Sequence, residues 1–159
     1  PGHRSLRARA VSEEISRMLS PMRLEYTVWA GTVTETFLRA LQQRRIVGRR
    51  CPSCMAVFVP PRSSCPTCAE APGEEVEVAQ VGTVTAFSVI RIPFEGQVLD
   101  PPYACAHVQL DGADTPLLHI LGECPVDDVR VGLRVAAVWA DIIEPPLASI
   151  RYFKPVETP

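Results

Sequence analysis

Residues 51–68 read Cys51-Pro-Ser-Cys54-Met-Ala-Val-Phe-Val-Pro-Pro-Arg-Ser-Ser-Cys65-Pro-Thr-Cys68. Each Cys-Pro-x-Cys pair can bind one metal ion from a tight turn, and the ten residues between the pairs suffice for a short loop or hairpin. Four thiolates form the tetrahedral ligand set of a structural Zn²⁺ site, and a shell of four cysteines leaves no position open for a reacting water. The stretch therefore predicts a structural zinc ribbon with the ligands Cys51, Cys54, Cys65 and Cys68.

The cellular compartment decides between zinc and disulfide bonds as the state of these cysteines. The N-terminal residues are rich in arginine and lack the apolar core of a signal peptide, and no apolar run is long enough to cross a membrane. These features predict a cytoplasmic protein, whose reducing surroundings favour metal over disulfides. A redox pair is the weaker alternative because it needs no matched second pair. Cys105 and Cys124 stand alone in apolar surroundings and are expected to be small buried side chains.

Charge is unevenly distributed along the chain, although the net charge is only −2. Residues 1–62 contain 11 Lys and Arg and four Asp and Glu, whereas residues 63–159 contain five and 14. A basic cluster, formed by Arg44, Arg45, Arg49 and Arg50, precedes the first cysteine pair. A basic half can meet phosphates or an acidic partner, and the alternative is a solvated helix face. The acidic half repels nucleic acid, which makes nucleic-acid binding the weaker functional alternative.

The hydrophobic pattern divides the chain into four parts. They are a basic leader or linker (1–25, either a short helix or a disordered tail), an N-terminal helix (26–50), the zinc ribbon (51–75) and a β-barrel (76–159). In the second part, an apolar stripe predicts a helix over residues 32–47. Thr32 and Glu35 have the spacing of a capping box, and Gly48 is a typical C-terminal stop.

The last part of the chain is predicted to be a barrel of short strands. Six stretches are rich in β-branched and aromatic residues and are separated by turn signals: 76–81, 83–92, 103–110, 117–121, 134–141 and 150–153. Five or six short strands in about eighty residues suit a small closed barrel. An OB-type barrel fits this count best, and an SH3-like barrel is the alternative. The predicted fold class is mainly β: a helix, a four-cysteine ribbon and an OB-type barrel.

No catalytic residue is predicted. His107 and His119 lie within predicted strands without an acidic residue at a spacing that would orient them, and Asp127 and Asp128 lie together on a turn where carboxylates are usually solvated. The chain also contains no phosphate-binding loop, dinucleotide fingerprint or nucleophile elbow. The long loop 93–103 carries apolar side chains at Phe94, Leu99 and Tyr103, as partner-docking loops do, or it folds back on its own core.

Several short motifs around the cysteines carry a family resemblance. They are the Val-Pro-Pro-Arg62 run between the cysteine pairs, Gly82-Thr83-Val84, Pro102-Tyr103, Leu110-Asp111-Gly112 and Asp127-Asp128-Val129-Arg130-x-Gly132. With these motifs in this order, the chain resembles the acyl-CoA-associated family called domain of unknown function thirty-five. Its members join a rubredoxin-like zinc ribbon to an OB fold. Met55 is a departure, since the family usually has a small or polar residue there, and no constraint on this position is expected.

The resemblance implies an accessory subunit rather than a self-sufficient enzyme. Such proteins associate with thiolase-like partners, including lipid-transfer-protein-type aldolases, and some are fused to MaoC-like enoyl-CoA hydratases. The chain is most similar to actinobacterial members in steroid side-chain breakdown, where the partner cleaves a β-hydroxyacyl-CoA by retro-aldol chemistry. Acyl-CoA is then the expected ligand of the complex, and a stand-alone acyl-CoA carrier is a further alternative.

Two groups of residues are candidates for the contacts of such a subunit. The arginines that would meet CoA phosphates are Arg44, Arg45, Arg49, Arg50 and Arg62. The side chains that would form docking faces are Phe58, Pro60 and Pro61 on the ribbon and Phe94, Leu99 and Tyr103 on the barrel loop.

Overall fold

The computed structural model of the chain describes residues 27, 29–95, 97, 99–141 and 149–156. Its α-helix and strands over these residues are α1 (Thr32–Gln42), β1 (Val47–Arg50), β2 (Val57–Phe58), β3 (Glu75–Glu77), β4 (Val81–Ile90), β5 (Tyr103–Leu110), β6 (Leu117–Leu121), β7 (Arg134–Trp139) and β8 (Ile150–Pro155), and a 3₁₀ turn spans Val126–Asp128. The mainly β fold class with one helix is confirmed. The predicted leader, residues 1–25, lies outside the described residues.

Helix α1 buries Phe37, Ala40 and Leu41, and it ends at Gln42 rather than at residue 47. Arg44, at a positive φ of 57°, turns the chain out of the helix toward β1. Gly48 therefore lies in β1 and does not end the helix. A Cβ at Gly48 would lie 2.8 Å from the backbone oxygen of Phe58, so glycine is needed there for close strand approach.

The start of α1 also differs from the prediction. Gly31 is the N-cap residue, and no side chain caps the helix. Thr32 already lies inside the helix, while Glu35 forms an ion pair with Arg39 one turn later, at 2.6 Å between Oε1 and Nη2. The predicted capping box is wrong because both of its members lie one position too far along the helix.

The zinc ribbon contains a three-stranded antiparallel sheet in the order β2-β1-β3. Strand β1 is central: Arg49 lies opposite Phe58 on one side and opposite Glu75 on the other. The predicted barrel strand 76–81 is therefore wrong, since its first residues belong to the ribbon sheet and only Val81 begins β4. Between them, Val78 is buried and its N–H donates to the Ile46 carbonyl. The sheet thus includes residues from both sides of the predicted boundaries after residues 50 and 75.

Strands β4 to β8 form a closed barrel in the order β4-β5-β6-β8-β7, with β7 paired to β4. Strands β6 and β8 are parallel, and the other neighbours are antiparallel. A five-stranded barrel of this kind is an OB fold, so the OB-type prediction is confirmed. Its interior is filled by Val84, Val108, Val135 and Phe153, all at 0% exposure.

The ribbon is joined to the barrel by the turn between β5 and β6. Asp114 accepts a hydrogen bond from the Val57 N–H on its carboxylate (2.8 Å) and donates its own N–H to the Val57 carbonyl (2.8 Å). Thr115 continues this pattern, because its hydroxyl accepts from the Val59 N–H (2.9 Å) and donates to the Val59 carbonyl (3.1 Å). The turn therefore pairs with the ribbon as a further strand would. One apolar core, which includes Phe37, Val57 and Val108, continues across the helix, ribbon and barrel.

Asp114→Ala should lower the free energy of unfolding by about 1–2 kcal/mol, because the buried Val57 N–H loses a charged acceptor. Chemical denaturation of the zinc-loaded protein measures this change. Asp100→Ala is the matched control, since Asp100 is exposed and has no hydrogen bond to a described residue. Equal stability of the two variants would contradict the role of Asp114 in joining the ribbon to the barrel.

Candidate functional site

The four cysteines of the ribbon come together in the folded chain. The Sγ atoms of Cys51, Cys54, Cys65 and Cys68 all lie within 4.8 Å of one another, and those of Cys54 and Cys65 are 3.7 Å apart. Zn–S bonds of about 2.3 Å in a tetrahedron place sulfurs roughly 3.8 Å apart. The cluster therefore fits a tetrahedral zinc ion, and its four thiolates would hold a structural metal without an open position.

Two turns with the same hydrogen bonds present these sulfurs. In the first, the Cys51 N–H donates to the Ala56 carbonyl (2.8 Å) and the Met55 N–H donates to the Cys51 carbonyl (3.0 Å). The second turn repeats both bonds at residues fourteen positions later, Cys65 to Glu70 and Ala69 to Cys65, each at 2.9 Å. The repeat explains the matched Cys-Pro-x-Cys motifs, because each motif builds half of one metal site.

The residue after each second cysteine is in the left-handed region, with φ 62° at Met55 and 58° at Ala69. This conformation is unfavourable for any residue with a Cβ. The expectation that position 55 is unconstrained is therefore wrong, since its backbone must adopt this angle to close the turn. Glycine suits the position for this reason.

The thiols of the cluster differ in acidity. Backbone N–H groups of Cys68 and Thr67 lower the pKa of Cys65 to about 7, because they stabilise its thiolate. The pKa of Cys68 is raised to about 12, first by its hydrogen bond with Cys54 and then by burial. Zinc requires all four thiolates, so binding displaces protons and its affinity rises with pH.

Two of the four arginines of the predicted basic cluster form ion pairs with glutamates of the acidic segment, residues 74–77. Arg45 pairs with Glu77 (2.8 Å), and Arg50 pairs with Glu74 (2.9 Å). Arg49 donates through Nη1 to the Gly73 carbonyl (3.0 Å). The remaining two arginines, Arg44 and Arg62, are exposed and have no ion pair with a described carboxylate. The five candidate arginines therefore lie in different environments, and their binding of CoA phosphates stays a prediction.

The predicted ribbon docking residues also divide into two groups. Phe58 is only 8% exposed and packs against Cys51 and Cys65, so its assignment to a docking face is wrong. Pro60 is exposed and Pro61 is half-buried. The aromatic ring of Phe58 fills the small core behind the metal cluster, where a ribbon of this size needs an apolar residue.

The loop between β4 and β5 presents apolar side chains to solvent, and their role in docking a partner stays a prediction. Phe94 is 63% exposed and Leu99 38%, while Tyr103 is half-buried at the start of β5. Ile92, which the sequence reasoning missed, is 80% exposed beside them.

A second surface was missed altogether. Strands β4, β5 and β6 contain no Asp, Glu, Lys or Arg. Their outer side holds an open depression of about 210 Å³, lined by Ala86, Phe87, Ser88, Cys105, His107 and Leu118. We call this the uncharged face. Leu118 is 61% exposed on it, and the three uncharged sequence segments were the signal that could have revealed it.

The isolated thiols and imidazoles of the barrel show no catalytic arrangement among the described residues. Burial raises the pKa of Cys105, so its thiolate is disfavoured. Burial also lowers the pKa of His119, which packs edge-on against Phe153 with ring centroids 5.6 Å apart. His107 is exposed and makes no side-chain hydrogen bond to a described residue. OB folds bind nucleic acids on this side of the barrel, but strands without cations offer a phosphate backbone nothing to bind.

No helix of the described residues has the length and apolar character needed to span a membrane.

Cys51→Ser should remove zinc and unfold the ribbon, because three thiolates bind the ion more weakly and metal binding supplies the folding energy of so small a module. The zinc content of purified protein, measured by elemental analysis, should fall from one equivalent to well below it. Cys105→Ser is the matched control and should retain the metal, since Cys105 lies outside the cluster. A full equivalent of zinc in Cys51→Ser, or little zinc in the unaltered protein, would contradict the assignment.

Met55→Gly should raise the free energy of unfolding of the zinc-loaded protein by about 1 kcal/mol, because glycine adopts the left-handed region without the steric cost of a Cβ. Denaturation against Met55→Ala isolates the backbone effect, since alanine removes the same exposed side chain and keeps the strain. If glycine and alanine give the same stability, the turn is not strained at this position.

Comparison with known proteins assigns both parts of the chain. The family described as the ChsH2 rubredoxin-like zinc ribbon domain matches residues 39–73, and the ChsH2 C-terminal OB-fold domain matches residues 75–140. A DUF35 domain-containing scaffold protein of Methanocaldococcus jannaschii is 27% identical over 86% of this chain and 99% of its own length. A probable enoyl-CoA hydratase alpha subunit of Thermomonospora curvata is 29% identical over 75% of this chain, which spans only 36% of that protein.

Solved structures agree with these matches. The structure titled Ltp2-ChsH2(DUF35) aldolase contains a chain that superposes with a TM-score of 0.63 at 26% identity, over 81% of this chain and 98% of that one. A DUF35-family protein of unknown function from Sulfolobus solfataricus superposes with a TM-score of 0.57 at 27% identity, over 68% of this chain and 78% of that one. The chain therefore consists of a ChsH2-type rubredoxin-like zinc ribbon domain followed by a ChsH2-type C-terminal OB-fold domain, and it is similar to DUF35 proteins.

Proposed function

We propose that this chain is the accessory, non-catalytic subunit of a thiolase-fold aldolase that acts on acyl-CoA. The name of the matching aldolase structure, which includes ChsH2(DUF35), supports this proposal, because this chain covers 98% of the matched chain there. The partner would supply the nucleophile, acid and base, since the described residues of this chain hold none in a catalytic arrangement. The reaction we assign to the complex is retro-aldol cleavage of a β-hydroxyacyl-CoA steroid side chain.

The uncharged face is the observation that carries the proposal. Exposed apolar surface rimmed by polar residues marks interaction sites, and the core of a protein interface is depleted in charged residues. Strands β4 to β6 carry no charged side chain and expose Leu118 and Phe87, and the neighbouring loop adds Phe94 and Ile92. A thiolase-fold subunit that covers this face would bury Leu118 and Phe87 without removing water from any ion.

The ribbon would contribute to CoA binding. Arg44 and Arg62 are the two exposed arginines of the candidate set without a described carboxylate partner, so their charges are available to phosphates. Arg45 and Arg50 would have to give up their ion pairs first. Acyl-CoA chemistry also appears in the name of the hydratase relative, of which this chain matches a part. A MaoC-like hydratase is therefore a second proposed partner, fused or separate.

Leu118→Asp should weaken the complex with a co-expressed thiolase-like aldolase subunit at least about tenfold, because a carboxylate would be buried without a partner. Pull-down yield and the dissociation constant from calorimetry measure the loss. Val131→Asp is the matched control: Val131 is equally exposed, at 62%, but lies on the turn before β7. Unchanged binding by Leu118→Asp, with normal zinc content, would place the partner elsewhere.

An assay of retro-aldol cleavage distinguishes the accessory role from the alternative functions of the chain. Retro-aldol cleavage should require both subunits, and the zinc-loaded chain alone should leave β-hydroxyacyl-CoA intact. Cleavage by the chain alone would show that it is itself the enzyme. Acyl-CoA binding without any aldolase partner would favour a carrier, and tight binding of single-stranded nucleic acid at moderate salt would favour the nucleic-acid alternative.

A further inference from the structure

We propose that Arg49 is the counter-charge of the zinc–thiolate centre, a positioning residue that retains the metal. The argument begins with charge: one Zn²⁺ bound by four thiolates carries a net charge of about −2. Two of these sulfurs belong to buried residues, Cys51 at 2% and Cys65 at 5% exposure. A net charge in such surroundings is costly unless an opposite charge lies beside it.

A narrow cleft beside the cluster supplies that charge. It is lined by Arg49, Cys51, Phe58, Arg62, Ser64, Cys65 and Pro72, so two arginines lie along the same cleft as the two buried cysteines. Arg49 is half-buried, whereas Arg62 is exposed. Solvent screens an exposed charge more strongly, so Arg49 contributes the larger share and Arg62 a smaller one.

The backbone around residue 73 fixes the guanidinium of Arg49. Its Nη1 donates to the Gly73 carbonyl at 3.0 Å, and the Gly73 N–H donates to the Arg50 carbonyl at 2.9 Å. A Cβ at Gly73 would lie 2.6 Å from that carbonyl oxygen, so glycine permits this close approach. The ribbon thus holds Arg49 by a neutral acceptor, with no ion pair to a carboxylate of the described residues.

Arg45 and Arg50 show the contrast within the same basic cluster. Both pair with carboxylates of the acidic segment, at 2.8 Å and 2.9 Å. Arg49 has no ion pair with a described carboxylate. Arg49 lies opposite Phe58, which packs against the two buried cysteines, so the thiolate cluster that lines the same cleft is the negative group we assign to it. This assignment is independent of the proposed aldolase function.

The test measures how fast zinc leaves the loaded protein for a chromogenic chelator in excess. Arg49→Gln should release zinc about tenfold faster, in the range seen when groups that support metal ligands are removed. Arg45→Gln is the matched control and should release zinc at the unaltered rate. Arg49→Lys should restore most of the retention, because it keeps the charge while changing the hydrogen-bonding group.

The salt dependence of zinc release distinguishes an electrostatic role of Arg49 from a packing role. At about 1 M salt the screening length falls to about 3 Å, so the ratio of the Arg49→Gln rate to the unaltered rate should shrink. A ratio that salt leaves unchanged, with Arg49→Lys as fast as Arg49→Gln, would overturn the proposal in favour of a packing role. Equal rates for Arg49→Gln and Arg45→Gln would overturn it as well.

The visible spectrum of the Co²⁺-substituted protein confirms that each variant retains four-sulfur tetrahedral coordination. Should Arg49→Gln fail to take up metal, Arg62→Gln provides the decisive measurement. It should show a smaller, salt-sensitive acceleration of zinc release, and the absence of any acceleration would overturn the proposal.

Discussion

The pairing of β1 with β2 on one side and β3 on the other is the constraint on which the rest of the structure depends. Strand β1 ends at Arg50, directly before the first zinc ligand, and β2 follows the first metal-binding turn. Strand β3 then leads through the buried Val78 into the barrel. The first metal-binding turn therefore continues from the Arg50 end of this sheet, and the barrel continues from the opposite end, where Val47 lies opposite Glu77. A sheet this small cannot bury a core alone, and it is stabilised by the zinc turns on one side and by α1 and the barrel on the other.

The same sheet explains the distribution of charge. Because β1 and β3 are antiparallel neighbours, arginines at the start of the ribbon lie beside glutamates at its end. Charges that are far apart in the sequence thus become ion pairs, as Arg45 and Arg50 of the basic half do with Glu77 and Glu74 of the acidic half. Asp111 and Arg134 make a comparable pair, which lowers the pKa of Asp111 through a hydrogen bond from the guanidinium. Such pairs contribute little stability each when exposed, but they determine which cations remain available.

The sequence was sufficient for the features that depend on local spacing. The metal cluster follows from two matched cysteine pairs, and the barrel strands follow from β-branched residues between turn signals. Features that depend on pairing between distant segments could not be predicted in the same way. The end of α1 is set by the left-handed Arg44 and by the requirement for glycine at position 48 against Phe58. The burial of Phe58 and the partners of Arg45 and Arg50 likewise depend on tertiary neighbours.

The positions of the charged side chains also indicate which surface of such a subunit a partner could cover. The ion pairs between described residues lie on the helix, on the ribbon, on the loops and on the side of the barrel formed by β7 and β8. Strands β4 to β6 take part in none of them, since they carry no charged side chain. Removing water from an ion is costly, whereas removing it from apolar surface is favourable. A partner that covers the uncharged face would gain the free energy of removing apolar surface from water without the cost of removing water from an ion. The rigid attachment of the ribbon through Asp114 and Thr115 would then hold Arg44 and Arg62 in a fixed position relative to that partner.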